Sequence, residues 1–400
     1  MSASRGVVLG EGWQDRVHDL YREVREDGGI RHIRYPGRAP VEGWVVTGYA
    51  EAKALLADPR LSKNQAVQRL GQHIGLDHGP GGGLFTHMLN ADPPDHTRLR
   101  RLVQQVFTVR RTAALRPSIE RHVDGLLDAL DGAAEAELIS EFALPLPVAV
   151  VFDLFGASDA DHEKLRVRGN TFDGGPGDGE VSVVTAESMH AYLRALIALK
   201  REQPDDGLLS ELLTAQEDDR LTEDEITSMA FLLVIAGHQT TVNLIANALH
   251  SLLIHPAELA ALRADPSLAR GTVEEVLRYE SPSGLASLRY ATEPVRIGEV
   301  TVQEGEFVQI SLLGADRDPA VFPDPDRFDI RRADSRHLAF GHGIHHCLGA
   351  PLARLQAEIA LTRIVERFPG LRLHEEHEAR WQPNPRHRGL LSLPVRLRQS

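Results

Sequence analysis

Cysteine is almost absent from this chain: Cys347 is the single example in 400 residues. One thiol excludes any disulfide within the chain and fits a reducing compartment. Basic residues are also in deficit, with 44 Lys and Arg against 57 Asp and Glu, a net charge of −13. That balance excludes a dedicated nucleic-acid binder, because an acidic chain repels phosphate. Long apolar runs are missing too. The most apolar stretch, residues 229–236, is far shorter than the roughly 20 residues that cross a bilayer. The amino terminus turns charged without the apolar segment of a signal peptide, so a cytoplasmic protein with no membrane partner is expected. No repeat period or long linker is visible. Residues 1–400 therefore read as one compact domain, although roughly 100 to 200 residues per domain would suggest two or three. What is present, 42% hydrophobic and 25% charged residues, suits a globular chain able to enclose a large core or a cofactor.

Periodicity organises the rest. Residues 13–26 and 50–57 carry helical spacing and 30–35 and 44–48 read as strands, an α+β opening. From 94 to about 255, apolar residues recur three and four apart, first through Leu99, Leu102, Val103 and Val106, then through Ile119, Val123, Leu126, Leu127 and Leu130. This predicts a helix-rich middle. Glycine-rich interruptions at 79–83 and 174–179 predict surface loops at the mouth of a pocket. The longest helix is expected to begin at Thr222, an N-cap with Glu225 as its capping-box partner, and to run to about His255. Its length, on the order of 50 Å, makes it central. A helix over 273–279, β-like text over 285–313 and a proline-rich meander over 318–336 follow.

Cys347 lies in a glycine-spaced loop before a helix that runs to about Phe368, with Pro351 in its first turn. A thiolate there would feel the helix dipole, which lowers its pKa and favours metal ligation. Gly341, Gly343 and Gly349 allow close backbone approach to a flat ligand, and Phe340 can pack on its face. Taken alone, the cysteine is equally open to other readings: a small buried hydrophobe, a zinc ligand beside His342, His345 and His346, or a nucleophile.

The stretch FGHGIHHCLGAPLAR from Phe340 resembles the haem-binding loop of the cytochrome P450 superfamily, soluble bacterial type. Four further motifs resemble that family in order. Glu275 and Arg278 match its ExxR pair, with Arg327 of the meander as the third member of a buried structural network. His96 and Arg100, four apart on a helix, match its haem-propionate clamp, to which Arg289 and His345 add donors. Ala236, Gly237, Gln239 and Thr240 match its oxygen-activating AGxxT element, where a helix distortion opens a groove. In that element Thr240 corresponds to the proton-guiding residue. Gln239 departs from the pattern, since the family carries a carboxylate there and an amide cannot relay a proton by ionising.

The resemblance implies a mainly α fold with small β-sheets (α+β), a single-domain P450 fold. Haem b would lie between the long central helix and the helix following the cysteine loop, with Cys347 as iron ligand. It implies a monooxygenase that inserts one oxygen atom of O2 into a fairly large apolar substrate, by hydroxylation or epoxidation, in secondary metabolism. With no flavin segment in the chain, electrons are expected from a ferredoxin and its reductase. An acidic ferredoxin would dock on a basic face at Arg98, Arg101, Arg110, Arg111 and Arg354. A monomer is expected. The alternatives are a haem-thiolate enzyme of non-hydroxylating type, by oxidative coupling or peroxygenase chemistry, and a haem-binding protein without turnover. The substrate pocket is expected to draw on residues 70–89, 166–189, 231–241, 283–287 and 390–391.

Overall fold

The computed structural model describes residues 7–10, 12–35, 42–68, 86–157, 183–217, 221–334 and 336–398. The expected glycine-rich loops at 79–83 and 174–179, and most of the pocket segments 70–89 and 166–189, lie outside these residues. The helices are α1 (Val17–Glu26), α2 (Tyr49–Leu56), α3 (Asp95–Val106), α4 (Val109–Ala114), α5 (Arg116–Ala129), α6 (Pro145–Phe155), α7 (Val183–Glu202), α8 (Leu208–Glu217), α9 (Glu223–Ile254), α10 (Pro256–Ala264), α11 (Ala269–Tyr279), α12 (Leu312–Ala315) and α13 (Ala350–Arg367). The strands are short: β1 (Val7–Val8), β2 (Ile30–Arg34), β3 (Glu42–Val46), β4 (Leu61–Ser62), β5 (Glu135–Glu137), β6 (Arg289–Ala291), β7 (Val295–Ile297), β8 (Val300–Val302), β9 (Phe307–Ile310), β10 (Arg372–Leu373) and β11 (Pro394–Arg396). The chain is mainly helical with small sheets, as its periodicity implies.

Two compact units divide the chain, and the division falls within α9. The first comprises residues 1–75, 247–347 and 378–391. Its six-stranded sheet has the order β1-β2-β3-β9-β6-β4. Strands β2 and β3 pair antiparallel with Ile30 opposite Val46, whereas β3 and β9 run parallel with Trp44 opposite Val308. Helix α2 lays Tyr49, Ala52, Leu55 and Leu56 into a core shared with Val46, Ala291, Val308 and Ile310. The β-like text over 285–313 resolves into β6 to β9, with Ser311 capping the short helix α12.

The second unit comprises residues 76–246, 348–377 and 392–400. Helix α5 packs on α6 and α13, and α8 packs on α3 and α7. Strands β10, β11 and β5 form its antiparallel sheet. Helix α9 begins as its sequence predicts: Glu225 N donates to Thr222 Oγ1 at 3.2 Å, and Thr222 N donates to Glu225 Oε2 at 2.8 Å. It is long and apolar enough to cross a membrane, yet 56% of its most apolar window is buried inside the protein, as befits a helix apolar on all faces.

Helix α11 approaches the meander at Gly271, where an added Cβ would stand 2.5 Å from Ile330 O. Ordinarily Ala in a helix interior is better than Gly by about 1 kcal/mol. Here the sign reverses, because backbone cannot move aside as a flexible side chain can. Gly271→Ala is expected to lower stability by about 1–3 kcal/mol, read as an earlier denaturant midpoint. An unchanged or later midpoint would show that α11 and the meander are less tightly apposed than described.

Candidate active site

Within the first unit the site grows from a buried carboxylate. Glu275 and Arg278 sit one helical turn apart on α11, 3% and 1% exposed, and meet in a two-pronged pair at 2.8 Å on each prong. Glu275 Oε1 also accepts from Asp329 N at 2.9 Å. Arg332 Nε donates to both of its oxygens, at 3.1 and 3.3 Å. The remaining donors meet carbonyls of the meander: Arg278 Nη1 reaches Asp316 O and Pro325 O, and Arg332 Nη1 reaches Pro323 O. Arg327 contributes only its carbonyl, which accepts from Arg278 and Arg332.

The expected role of the Arg327 side chain is therefore corrected. It is 66% exposed and pairs with Asp329 at 3.5 Å, while Arg332 is 13% exposed and fills the third place. The meander, which includes the left-handed Asp324 (φ 47°), is irregular here, and it presents the carbonyl of Arg327 to the cluster and its side chain to solvent.

From this cluster a chain of bonds leads to the cysteine loop. Asp316, whose carbonyl holds Arg278, accepts from Leu338 N at 2.6 Å through its side chain. Burial raises the pKa of Asp316 well above its ordinary value, against the Leu338 N–H and the nearby Arg278 charge. Leu338 O then accepts from Gly341 N, and Phe340 O from Cys347 N at 2.8 Å. Cys347 itself is exposed, unusual for a residue type that is mostly buried. Gly341 and Gly343 adopt positive φ of 72° and 75°. A Cβ on Gly343 would lie 3.1 Å from Ala57 Cβ and 3.3 Å from Leu56 O, so the loop fits against the end of α2. Arg289, 3% exposed, reaches the same place: it donates to Ser287 O at 2.9 Å and to Leu56 O at 3.5 Å. Gly343 of the cysteine loop and Arg289 thus both meet the carboxyl end of α2, whose part no motif signals.

The other candidates belong to the second unit. His96 is buried and Arg100 half-buried on α3. Arg98, on the same helix, forms an ion pair with Glu225 of α9. Arg111 pairs with Glu211 and with Asp206 O, so two of the five arginines expected on a docking face have carboxylate partners. Gly349 stands at the N-cap of α13, its carbonyl accepting from Ala353 N.

On α9, Thr240 donates back to Ala236 O at 2.7 Å, and the helix runs unbroken through this turn instead of opening there. Gly237 faces Val151 of α6, 3.4 Å from where a Cβ would be. Gln239 Nε2 donates to Asn243 Oδ1 at 3.4 Å, which leaves Asn243 Nδ2 buried without a partner. His238 carries a second such atom, Nε2, and burial pushes its pKa down to about 4, so the ring is neutral. Neither His238 nor Asn243 was singled out from the sequence; a period of four from Gln239 would have found Asn243.

The sequence profile of the family described as Cytochrome P450 matches residues 182–397. Over 390 residues the chain is 47% identical to Cytochrome P450 107B1 of Saccharopolyspora erythraea, covering 96% of this chain and 95% of that relative. The chain belongs to the cytochrome P450 family. This P450 is also 44% identical to Cytochrome P450 monooxygenase PikC of Streptomyces venezuelae, over 98% of its own length and 94% of the relative's. The tirandamycin C-bound P450 monooxygenase TamI superposes with a TM-score of 0.90 at 41% identity, covering 98% of this chain and 100% of that one. Its activity is that of a P450 monooxygenase, and the family works with haem iron. The residues fit such a group: an exposed cysteine at the end of a tethered loop, and a buried arginine that meets the same end of α2 as Gly343 of that loop.

Arg332→Ala is expected to destabilise the P450 by about 3 kcal/mol, since it removes one of two cations from a buried carboxylate. Arg327→Ala should stay within about 0.5 kcal/mol of the parent. Thermal melting of the two variants side by side decides the assignment; equal losses would return Arg327 to the network.

Proposed function

We propose that residues 1–400 form a single cytochrome P450 domain that binds haem b, carries no flavin, and hydroxylates or epoxidises a fairly large apolar substrate in secondary metabolism. It acts as a cytoplasmic monomer with electrons from a ferredoxin and its reductase. The observation that carries this reading is the exposed Cys347 side chain at the end of a loop tethered, through Leu338 and Asp316, to the buried Glu275 cluster. Relatives named 6-deoxyerythronolide B hydroxylase and TamI, the latter with tirandamycin C bound, support a large organic substrate.

Cys347 holds the iron, and Phe340, Gly341, Gly349 and Ala236 line the porphyrin. His96, Arg100, Arg289 and His345 take its carboxylates, for which charge-assisted donors are well suited. When bound, a thiolate-ligated haem supplies O2 activation. Thr240 Oγ1, held on Ala236 O at rest, is the group that hands on a proton, and Gly237 lies one turn before it on the side that meets Val151. Gln239 contributes a hydrogen bond and no ionisable proton. The proton therefore comes by Thr240 and ordered water, with a substrate hydroxyl as a further carrier. For the ferredoxin, Arg101 and Arg110 are the exposed cations of the expected face, Arg98 and Arg111 being engaged by carboxylates.

A second reading, oxidative coupling in place of hydroxylation, is favoured by the same amide at Gln239. The related P450 CxnD, 36% identical, is described as acting in C–S bond formation.

The ferrous-CO complex is expected to show the red-shifted band of a thiolate haem, and NADPH consumption with a surrogate ferredoxin and reductase to require oxygen. A CO complex without that band, or reduction without oxygen uptake, would refute the assignment. Gln239→Glu should raise the product formed per NADPH severalfold, because Asn243 Nδ2 can turn to donate to the new carboxylate. Unchanged coupling would show that the amide is no handicap.

A further inference from the structure

Residues 378–391 return to the first unit after α13 as a hairpin. Trp381 and Leu390 form an antiparallel bridge, Gln382 N donates to Gly389 O at 2.9 Å, and Leu391 N donates to Arg380 O at 2.9 Å. The hairpin is bonded in turn to the chain after α11: Ser283 and His387 form a second bridge, and Arg388 N donates to Pro282 O at 3.0 Å. That chain continues along β9, where Ala286 N donates to Ile310 O at 2.9 Å. Residues 283–287 and 390–391, two of the segments expected to line the substrate pocket, thus belong to one bonded layer of backbone. Leu391 keeps 38% of its surface exposed at the end of that layer.

One side chain ties this layer to α9, the helix that carries Thr240. Asn247 is fully buried, and its Nδ2 donates to Glu280 O at 3.0 Å and to Arg388 O at 2.9 Å. Glu280 is the residue that ends α11, so its carbonyl is one that the helix itself leaves unpaired. Glu280 leads directly into 283–287, and Arg388 leads directly into Leu390 and Leu391. Two N–H bonds leaving one nitrogen diverge by about 120°, which holds two oxygens roughly 5 Å apart. A single amide therefore gauges the separation of the two segments. The side chains around it hold the same corner: Arg388 Nε donates to Glu280 Oε1 at 2.7 Å, and its guanidinium lies 3.3 Å over the ring of Trp381. Trp381 meets His250 of α9 edge-on, with ring centres 6.1 Å apart. Asn247 Oδ1, by contrast, is buried with no partner among the described residues, and an unmet buried acceptor destabilises a fold. A residue serving stability alone would leave no such atom, so what the asparagine contributes is the fork to two carbonyls.

We propose that Asn247 is a positioning residue for substrate selection: by holding Glu280 O and Arg388 O on one nitrogen it sets the distance between two walls of the substrate pocket, segments 283–287 and 390–391. This rests on the monooxygenase reading and on the pocket segments named with it. Removing the fork lets the two walls drift apart on α9 while the cysteine loop, tethered through Asp316 and Leu338, keeps its place.

The test uses the holoenzyme and two azoles that bind haem iron: imidazole, too small to reach either wall, and clotrimazole, an apolar body large enough to reach both. Each Kd is read by spectral-shift titration. Asn247→Leu should weaken clotrimazole at least about fivefold, the order of one lost hydrogen bond, and change imidazole by less than about twofold. Asn247→Ser, which keeps one donor of the two, should lie between, and it carries the test if the leucine variant holds no haem. Leu391→Ala, on the wall itself, should weaken clotrimazole alone. Equal losses for both azoles, clotrimazole binding unchanged in the Asn247 variants, or a Leu391→Ala protein that binds clotrimazole as the parent does, each overturns the proposal. The ferrous-CO band, recorded on every sample, reports the haem-thiolate reading separately: an intact band with unchanged clotrimazole binding sinks the role of Asn247 alone.

Discussion

One carboxylate taken out of water constrains the whole first unit. Removing Glu275 from solvent costs several kcal/mol, and only close cations with all their donors satisfied can offset it. The fold meets that condition with Arg278, Arg332 and a ring of carbonyls from 316 to 327. Meeting it dictates the path of a meander that has no regular structure of its own. The same requirement explains why α11 needs a glycine facing Ile330 O and why Asp316 serves as an acceptor for Leu338. The cysteine loop is thus the far end of an electrostatic problem solved elsewhere.

The charge economy of the molecule follows the same logic. A chain with a net charge of −13 gives its buried Arg278, Arg289, Arg317 and Arg388 carboxylate or carbonyl acceptors. Around Thr240 on α9 it uses neutral polar groups: a hydroxyl, two amides and a neutral imidazole.

Much of the architecture is legible in the sequence because it is local. The capping box of α9, the helical spacing through α3 and α5, the ExxR pair and the glycine-spaced cysteine loop all join residues within a turn or two of each other. Short strands were less sharply bounded: 285–313 reads as one β-like stretch and folds as four strands and a short helix. The grouping of distant segments into two compact units is not legible in the text, since contacts between them leave no mark in composition.

What the sequence determined by itself is the chemistry on offer: one thiol, a central helix with Thr240 and without an acid beside it, a carboxylate–arginine pair, and a family. What only the tertiary structure decided is which groups from irregular segments face inward. Arg327 and Arg332 are five residues apart in a stretch with no period, so nothing local distinguishes them; the carbonyl ring does, admitting one side chain and turning the other to solvent. The end of α2 joins the site for the same reason: packing between remote segments, not neighbours along the chain, sets its surroundings.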